Sequence, residues 1–406
     1  MTTRRALLAG AAGAAGAAGA AGLGLTSATR AAAAPGGRGG GPDSGTAGWE
    51  RLPDLPPNRT DWAEEIPVGE AYWRQLGLAG PVAGAHGDHL IVAGGANFPE
   101  PGRTAGRDPV LGKVYWNDAF VLRRSGETYT WLDLPLTLPD AVAYAACLST
   151  PRGVLVIGGE GFRGGPNGGA RATLEKFADV YLLRFDPVAE ALVREDLPSL
   201  PRPLSYGAAA MVGTTAYVAE GESFYALDLA DPDSGWRTLP TWPGGPRTVA
   251  VAASDGRRFH LISGRTQQPD GSWTLYADAY SFDPGDGKWA RLADLPRCVM
   301  AGIGVGDRRG ITVYAGDGDV ERWDVIQEHA AAGNADVVAW LQDHHTGFDT
   351  DVLRYDLRAG RWSAVDRFPG ASQVTTPAVE WDNALIIASG EVRPGVRTPV
   401  IWRVRR

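Results

Sequence analysis

Two cysteines in 406 residues, Cys147 and Cys298, allow one disulfide at most, so no disulfide framework staples this chain. Only six histidines are present, and none has the spacing to Cys or to other His that a zinc site requires. His86 and His89 flank a short turn, and His344-His345 have no recognisable third ligand. Positive charge is also scarce: 39 Lys and Arg stand against 47 Asp and Glu, a net charge of −8 and a pI near 5.4. This excludes the basic face expected of a nucleic-acid binder. An anionic ligand would need a local cluster of Arg or Lys working against the overall field. Beyond the N-terminal Ala/Gly tract, no apolar run is long enough to span a bilayer. Glycine, by contrast, is abundant at 55 residues, beside 29 prolines and 14 tryptophans, and where they fall decides the fold.

Residues 1–34 contain a twin arginine (Arg4, Arg5), a weakly hydrophobic Ala/Gly tract and the small-residue stretch Ala31 to Ala34. That is the outline of a twin-arginine export signal, removed from the mature chain. The competing reading is an uncleaved anchor, but the many glycines make a poor transmembrane helix. The expectation is therefore an exported protein, secreted or held in the periplasm or cell envelope, with no stable membrane anchor. Residues 35–47, "PGGRGGGPDSGTA", read as a flexible linker.

Three phrases recur through residues 48–406. An aromatic or apolar residue followed by Leu or Val and a nearby Pro appears six times, as "WERLPDLP" (49–56), "WLDLPLTLP" (131–139), "LVREDLPSLP" (192–201), "WRTLPTWP" (236–243), "WARLADLP" (289–296) and "WSAVDRFP" (362–369). Between these lie β-rich runs ending in a glycine pair or its remnant: "LIVAGG", "VLVIGG", "AYVAEG", "FHLISG", "ITVYAG" and "LIIASG". A further strand follows each run, and a small-residue strand such as "VAYAACL" precedes it. Four strands per unit, a Gly-Gly after the second and a Trp in the fourth make the pattern of a kelch-like β-propeller blade. The expected fold is all-β, a six-bladed kelch-like propeller. Because the chain begins with a fourth strand and ends with a third, the N-terminal strand must close the last blade and remove the open edges.

Antiparallel topology puts the second-to-third connections on the same face as the connections between blades. The long connections are 96–117, 160–178, 265–277 and 317–350. One face thus carries nearly all the elaborated loops, where function tends to reside. The insertion 317–350 has apolar residues at helical spacing, with Gly333-Asn334 as a break, and reads as two short helices forming a lid or wall. The plainer alternative is a packing ornament. Cys147 and Cys298 fall on first strands of blades well apart, which keeps them from pairing.

Asn97, Glu160, Glu222, Arg265, Asp317 and Glu391 follow the glycine pairs, and Arg202, Arg247 and Arg297 come from the inter-blade side. Acids and guanidinium groups would converge on the central channel, a constellation suited to a small polar, anionic ligand held by bidentate Arg. Any one of these charges taken alone reads as a solvated loop residue. "SGEVRPGVRT" (389–398) is more specific. Pro394-Gly395 suit the centre of a type II turn that folds Glu391 and Arg397 together, placing a proton acceptor beside a fixed positive charge. A structural ion pair bracing the hairpin is the alternative.

"VAGGANFPE", "KVYWNDAFVL", "VIGGEG", "PGGPR" and above all "SGEVRPGVRT" resemble the kelch-type sialic acid mutarotases, the N-acetylneuraminate epimerases, in a cyclically permuted arrangement. The resemblance implies that Glu391 is the proton acceptor and Arg397 its partner. It also matches Arg247 and Glu160 to positions of the site, while Asn97 and Arg265 are expected to bind substrate from their place after the glycine pairs. It implies an isomerase of carbohydrates that requires no cofactor and no metal and acts on a small, anionic sugar. Mutarotation needs a base for the anomeric hydroxyl proton and a proton source for the ring oxygen, and a positioned carboxylate contributes about 10²–10⁴-fold. Two other readings share the fold: a secreted copper-radical oxidase, which lacks its ligand set here, and a non-catalytic glycan- or protein-binding propeller. The sequence says nothing of oligomeric state.

Overall fold

The computed structural model describes residues 48–59, 77–98, 113–165 and 173–405, so the export signal and linker expected at 1–47 lie outside the described residues. The described part is all-β and antiparallel, with two helices. Its sheets follow one another along the chain. The first joins Val82–His86, His89–Ala93, Asp118–Ser125 and Thr128–Trp131, with the short strand Leu136–Thr137 added to the third of these. The second joins Ala146–Thr150, Gly153–Ile157, Val180–Asp186 and Ala191–Leu197. The third and fourth begin at Ala208–Val212 and Val251–Ser254, and the fifth at Ile303–Asp307. The sixth comprises Ala378–Trp381, Ala384–Ala388 and Ile401–Arg405, and its outer strand is Trp49–Leu52 from the other end of the chain. That pairing runs Trp49 opposite Val404 to Leu52 opposite Ile401.

The second strands are largely apolar and buried, and "GVLVI" and "ALIIA" are buried along their whole length. A strand that faced water on one side would alternate; these do not, because each sheet packs on both faces. Val82, Ile91 and Val121 of the first sheet meet Val154, Val156 and Tyr181 of the second. Leu155 and Leu182 of the second meet Val218 and Leu227 of the third, and the series continues until Val379 and Ile386 of the sixth meet Leu90 and Phe120 of the first.

The recurring tryptophan has a defined task. Trp236 Nε1 donates to the carbonyl of Pro198 in the preceding sheet's phrase, Trp289 to Pro240, and Trp362 to Ala293, all at 2.8–2.9 Å. Trp131 reaches Pro53 in the same way at 3.2 Å, and Trp49 bonds the Asp366 carboxylate at 2.8 Å. The "W…LP" phrase thus repeats because the indole of one sheet latches the proline-bearing end of its neighbour.

A second repeated feature circles the inner ends of the sheets. Gly80, Tyr144, Tyr206, Val249, Ala301 and Thr375, one ahead of each first strand, all have φ between 48° and 60°. Their backbones bond around the circle: Tyr144 N to Gly80 O, Tyr206 N to Tyr144 O, Ala301 N to Val249 O, Thr375 N to Ala301 O and Gly80 N to Thr375 O, at 2.7–2.9 Å. A left-handed residue other than glycine costs on the order of 1 kcal/mol. Tyr144, Tyr206, Val249, Ala301 and Thr375 all take part in these bonds.

Cys147 lies on a first strand, but Cys298 precedes one: it sits in the segment leading to Ile303–Asp307. The expectation that both fall on first strands is corrected there, because the backbone from Arg297 to Gly302 bends past the glycine turn of its own sheet, with Met300 bridged to Asp317. Both thiols are free and buried.

Candidate functional site

The first strands line a cavity of about 590 Å³ along the axis, walled mostly by Ala, Gly and Ser and edged by the left-handed residues Tyr144, Tyr206 and Ala301. Residues after the glycine turns are pinned to its rim. Glu160 pairs with Ala143, Arg265 with Thr248, Asp317 with Met300 and Glu391 with Val374. Each partner immediately precedes a residue of the left-handed circle, so the fold delivers these four charged side chains to equivalent places around one mouth.

Glu391–Arg393 and Val396–Arg397 form the hairpin of "SGEVRPGVRT", with Glu391 directly opposite Arg397. Gly395 takes φ 77°, a conformation glycine adopts without strain, and its amide donates to Glu391 Oε1 at 2.9 Å. Arg397 Nη1 lies 3.3 Å from the same oxygen, and the guanidinium stands 4.7 Å over the Phe98 ring. The Arg397 side chain is almost wholly buried, whereas Glu391 keeps 18% of its side-chain surface open.

Arg265 is sandwiched by indoles, 4.1 Å from the Trp273 ring and 4.9 Å from that of Trp323. Burial pulls its pKa down, opposed by the charges of Asp317, Tyr206 and Glu391. Its Nε is buried without a hydrogen-bond acceptor. Asp317 Oδ2 accepts from Trp323 Nε1 at 2.8 Å, and burial raises its carboxyl to about 6 against the opposing pull of that bond and of Arg265.

Trp323 belongs to the insertion, whose helices are α1, Val320–Ala331, and α2, Ala335–Asp343. Asp319 caps α1 by accepting from Arg322 N at 3.0 Å. Gln327 of α1 accepts from the Trp273 amide, and Arg393 of the Glu391 hairpin donates to the Asp343 carbonyl at the end of α2, 2.5 Å away. The insertion therefore stands as a wall between the fourth and sixth sheets' hairpins.

Across the mouth, Glu160 accepts from Tyr115 Oη at 2.7 Å, Ser205 Oγ at 2.9 Å and Tyr206 Oη at 3.3 Å. Tyr206 stacks on Tyr144 with 4.1 Å between centroids, and Lys113 Nζ sits 4.2 Å over Tyr144 and 4.8 Å over Tyr115. Burial first, then neighbouring Tyr144 and Glu160, pushes the Tyr115 and Tyr206 phenols well up, so both stay protonated donors at neutral pH.

Glu160, Arg265, Glu391 and Arg397 thus converge. Two other expected ligand residues do not. Arg247 is fully buried: Nη1 bonds Asp278 at 2.6 Å and the Ser263 carbonyl at 3.1 Å, Nη2 bonds Asp278 at 3.2 Å, and Tyr276 stacks on the group at 4.4 Å. In "PGGPR" a Cβ at Gly244 would come within 2.4 Å of Arg247 Nη2, so the glycine is there to let the arginine turn inward. Asn97 is also buried, its Oδ1 accepting from Trp116 Nε1 at 2.7 Å and its Nδ2 donating to the Gly77 carbonyl at 3.1 Å. Both side chains are enclosed by these partners in the wall behind the site. Arg297 is engaged by Asp349 at 2.7 Å and Arg202 by Ser223 at 2.7 Å. Tyr115, Tyr144, Tyr206 and Trp323 were not singled out from the sequence. The one signal for Tyr144 and Tyr206 was an aromatic just ahead of a small-residue strand in both "AYAAC" and "SYGAA".

The model of the family N-acetylneuraminate epimerase matches residues 197–405. Among relatives, the N-acetylneuraminate epimerase of Haemophilus influenzae (strain 86-028NP) is 29% identical over 213 residues, covering 50% of this chain and 57% of that one. That of Pasteurella multocida (strain Pm70) is 28% identical over 216 residues, with 50% and 57% covered. The chain spans little more than half the length of the curated relatives it matches. A solved structure titled "Structure of YjhT" superposes with a TM-score of 0.56 at 15% identity, covering 79% of this chain and 93% of that one, a likeness of fold. With the matched stretch reaching over half the chain and containing the Glu391–Arg397 hairpin, the protein belongs to the N-acetylneuraminate epimerase family.

Proposed function

We propose that the chain is a carbohydrate mutarotase that interconverts the anomers of N-acetylneuraminate or a related anionic sugar by opening and reclosing the ring. The observation that carries this reading is the Glu391–Arg397 pair at a mouth where Arg265 and Glu160 also converge. Glu391 takes the anomeric hydroxyl proton, and the bond from the anomeric carbon to the ring oxygen breaks as that oxygen is protonated. The exposed carbonyl face turns, and closure from the other side gives the other anomer. Arg397 Nε and Arg265 Nε are buried donors without acceptors among the described residues, suited to a sugar carboxylate or to the developing oxyanion. The Tyr115 and Tyr206 phenols around Glu160 offer neutral hydrogen bonds to hydroxyl groups.

The same reading takes the six sheets as blades of a closed propeller, with Trp49–Leu52 completing the last blade. The paired termini and the circle of left-handed residues support it. It takes residues 1–34 as an export signal, on the strength of the twin arginine.

The test is NMR of freshly dissolved single-anomer N-acetylneuraminate, with and without protein. Equilibration faster than the buffer rate is expected, and Glu391→Gln should remove the acceleration while circular dichroism stays native. If none of a panel of anionic sugar anomers equilibrates faster with the protein, the reading fails.

A further inference from the structure

Glu391 accounts for one of the two proton transfers that ring opening requires; nothing so far supplies the other. We propose that Asp317 is the second proton-transfer group of the site, the acid that protonates the ring oxygen while Glu391 takes the anomeric hydroxyl proton.

The placement comes from the repeat. Asp317 follows the glycine turn of the fifth sheet as Glu391 follows that of the sixth, and each pairs with the residue just before the left-handed circle, Met300 and Val374 respectively. The two carboxyl groups therefore occupy the same position in neighbouring sheets, at one mouth, and Asp317 feels the charge of Glu391.

Their environments differ in the sense the chemistry requires. Glu391 accepts from a backbone amide at 2.9 Å and faces the Arg397 guanidinium at 3.3 Å, both at one oxygen. Asp317 is buried, and that burial favours the acid even though the Trp323 indole donates to its Oδ2 at 2.8 Å. A buried carboxyl held toward its acid form, in the place its neighbouring sheet gives to Glu391, is suited to donate a proton there. The carboxyl raised to about 6 by burial agrees. The other charged groups packed about Asp317 leave this unchanged in sign. Arg265 favours its ionised form and Glu391 the neutral one; Arg297 is paired with Asp349, and the Cys298 thiol is pushed up by burial. His345, beyond them, is lowered to about 4 by burial and is neutral. A bound sugar carboxylate would add a further negative charge and raise Asp317 more.

The step balances. Glu391 carboxylate accepts the proton of the anomeric hydroxyl, whose O–H electron pair forms the carbonyl as the bond to the ring oxygen breaks. The Asp317 carboxylic acid gives its proton to that oxygen, becoming carboxylate. On closure the new hydroxyl returns its proton to Asp317 and protonated Glu391 returns its own to the carbonyl oxygen, restoring the starting state with no other reactant.

This inference rests on the mutarotase reading, and the experiment separates the two. Anomer equilibration of N-acetylneuraminate is followed by NMR from pH 4.5 to 8.5, with the buffer rate subtracted, for the wild type, Asp317→Asn, Asp317→Glu and Trp323→Phe. The wild type should lose rate on the alkaline side as Asp317 gives up its proton. Asp317→Asn should be slowed by about 10²-fold and lose that alkaline fall, and Asp317→Glu should recover part of both. Trp323→Phe removes the indole bond to the carboxylate and should move the fall to higher pH. Asp317→Asn with the wild-type rate and alkaline fall would overturn the proposal. So would Trp323→Phe leaving the fall in place, which guards against a variant that merely folds badly. A wild type that accelerates nothing sinks the mutarotase reading itself, and this proposal with it.

Discussion

Arg397 Nη1 lies within ion-pair distance of Glu391 Oε1, 3.3 Å, yet among the described residues neither Nη1 nor Nε of this buried guanidinium finds a hydrogen-bond acceptor. The register of the hairpin fixes the separation, and the Phe98 ring beneath the guanidinium fixes its plane. Charge balance is thereby met while hydrogen-bonding capacity is left over. A purely structural bridge would align its donors with its acceptor; this one holds donors in reserve.

Lysine keeps the charge of arginine but not its planar fork. Arg397→Lys should therefore fold, keep a positive charge beside Glu391 and still lose anomer-equilibration rate, by about 10-fold or more. NMR equilibration rates beside a thermal melt check this. A lysine variant as fast as the wild type would reduce Arg397 to a counter-ion.

The repeat was legible because each of its signature residues does the same local task in every sheet. The second glycine of each pair, Gly95, Gly159, Gly221, Gly264, Gly316 and Gly390, has φ between 60° and 126°. At Gly316 a Cβ would come within 2.6 Å of the Val299 Cα, so a side chain is excluded there. The first glycine of the pair is replaced by Ser263, Ala315 and Ser389 at φ 57–65°, a left-handed turn that a small side chain tolerates. These three pairs, which look degenerate in sequence, keep their geometry, whereas Glu220 ahead of Gly221 stays in its strand. The site was legible only in part, because which loop charges turn outward depends on partners far along the chain. Arg247 is claimed by Asp278, and Asn97 by Trp116, contacts that no local pattern encodes. The helical spacing of Val320, Trp323 and Ile326 corresponds to α1, but that Trp323 would reach Asp317 follows only from the fold.

The cysteines should be inert in the native protein. Burial pushes the Cys147 thiol up to about 12 and raises Cys298, whose Sγ lies 3.3 Å from Ser263 Oγ. Thiolate is the reactive form, so a thiol reagent at pH 8 should label neither residue until denaturant is added, and then label both. Stoichiometric labelling without denaturant would show that these sheets open readily.

Trp49 joins the two ends of the chain. Its ring packs 4.7 Å from Phe368, 5.9 Å from Tyr314 and 6.0 Å from Trp402, while Nε1 bonds Asp366. Trp49→Ala should cost about 3 kcal/mol, and Trp49→Phe, which keeps the ring but not the bond, about 1 kcal/mol. Urea midpoints for the three proteins give the comparison. An alanine variant with an unchanged midpoint would mean that the N-terminal strand does not close the sheet.

Acid should unfasten the turn of the fourth sheet. Asp255 Oδ1 accepts from the amides of Arg257 and Arg258 at 2.8 and 2.7 Å, and its Oδ2 lies 3.2 Å from His260 Nε2, which is wholly buried. Burial alone would raise this carboxyl, but the His260 contact and the two amides outweigh it and bring it down to about 2. A folded value below the unfolded value of about 3.9 means that the carboxylate stabilises the fold at all pH above about 4. That contribution is lost as pH falls through the folded value, between about pH 4 and pH 2. Asp255→Asn, which cannot titrate, should be less stable than the wild type by about 1–2 kcal/mol at neutral pH and should close that gap below pH 3. Urea melts from pH 6 to pH 2 measure it. Curves that stay parallel over the whole range would show that Asp255 is not held by its turn and by His260.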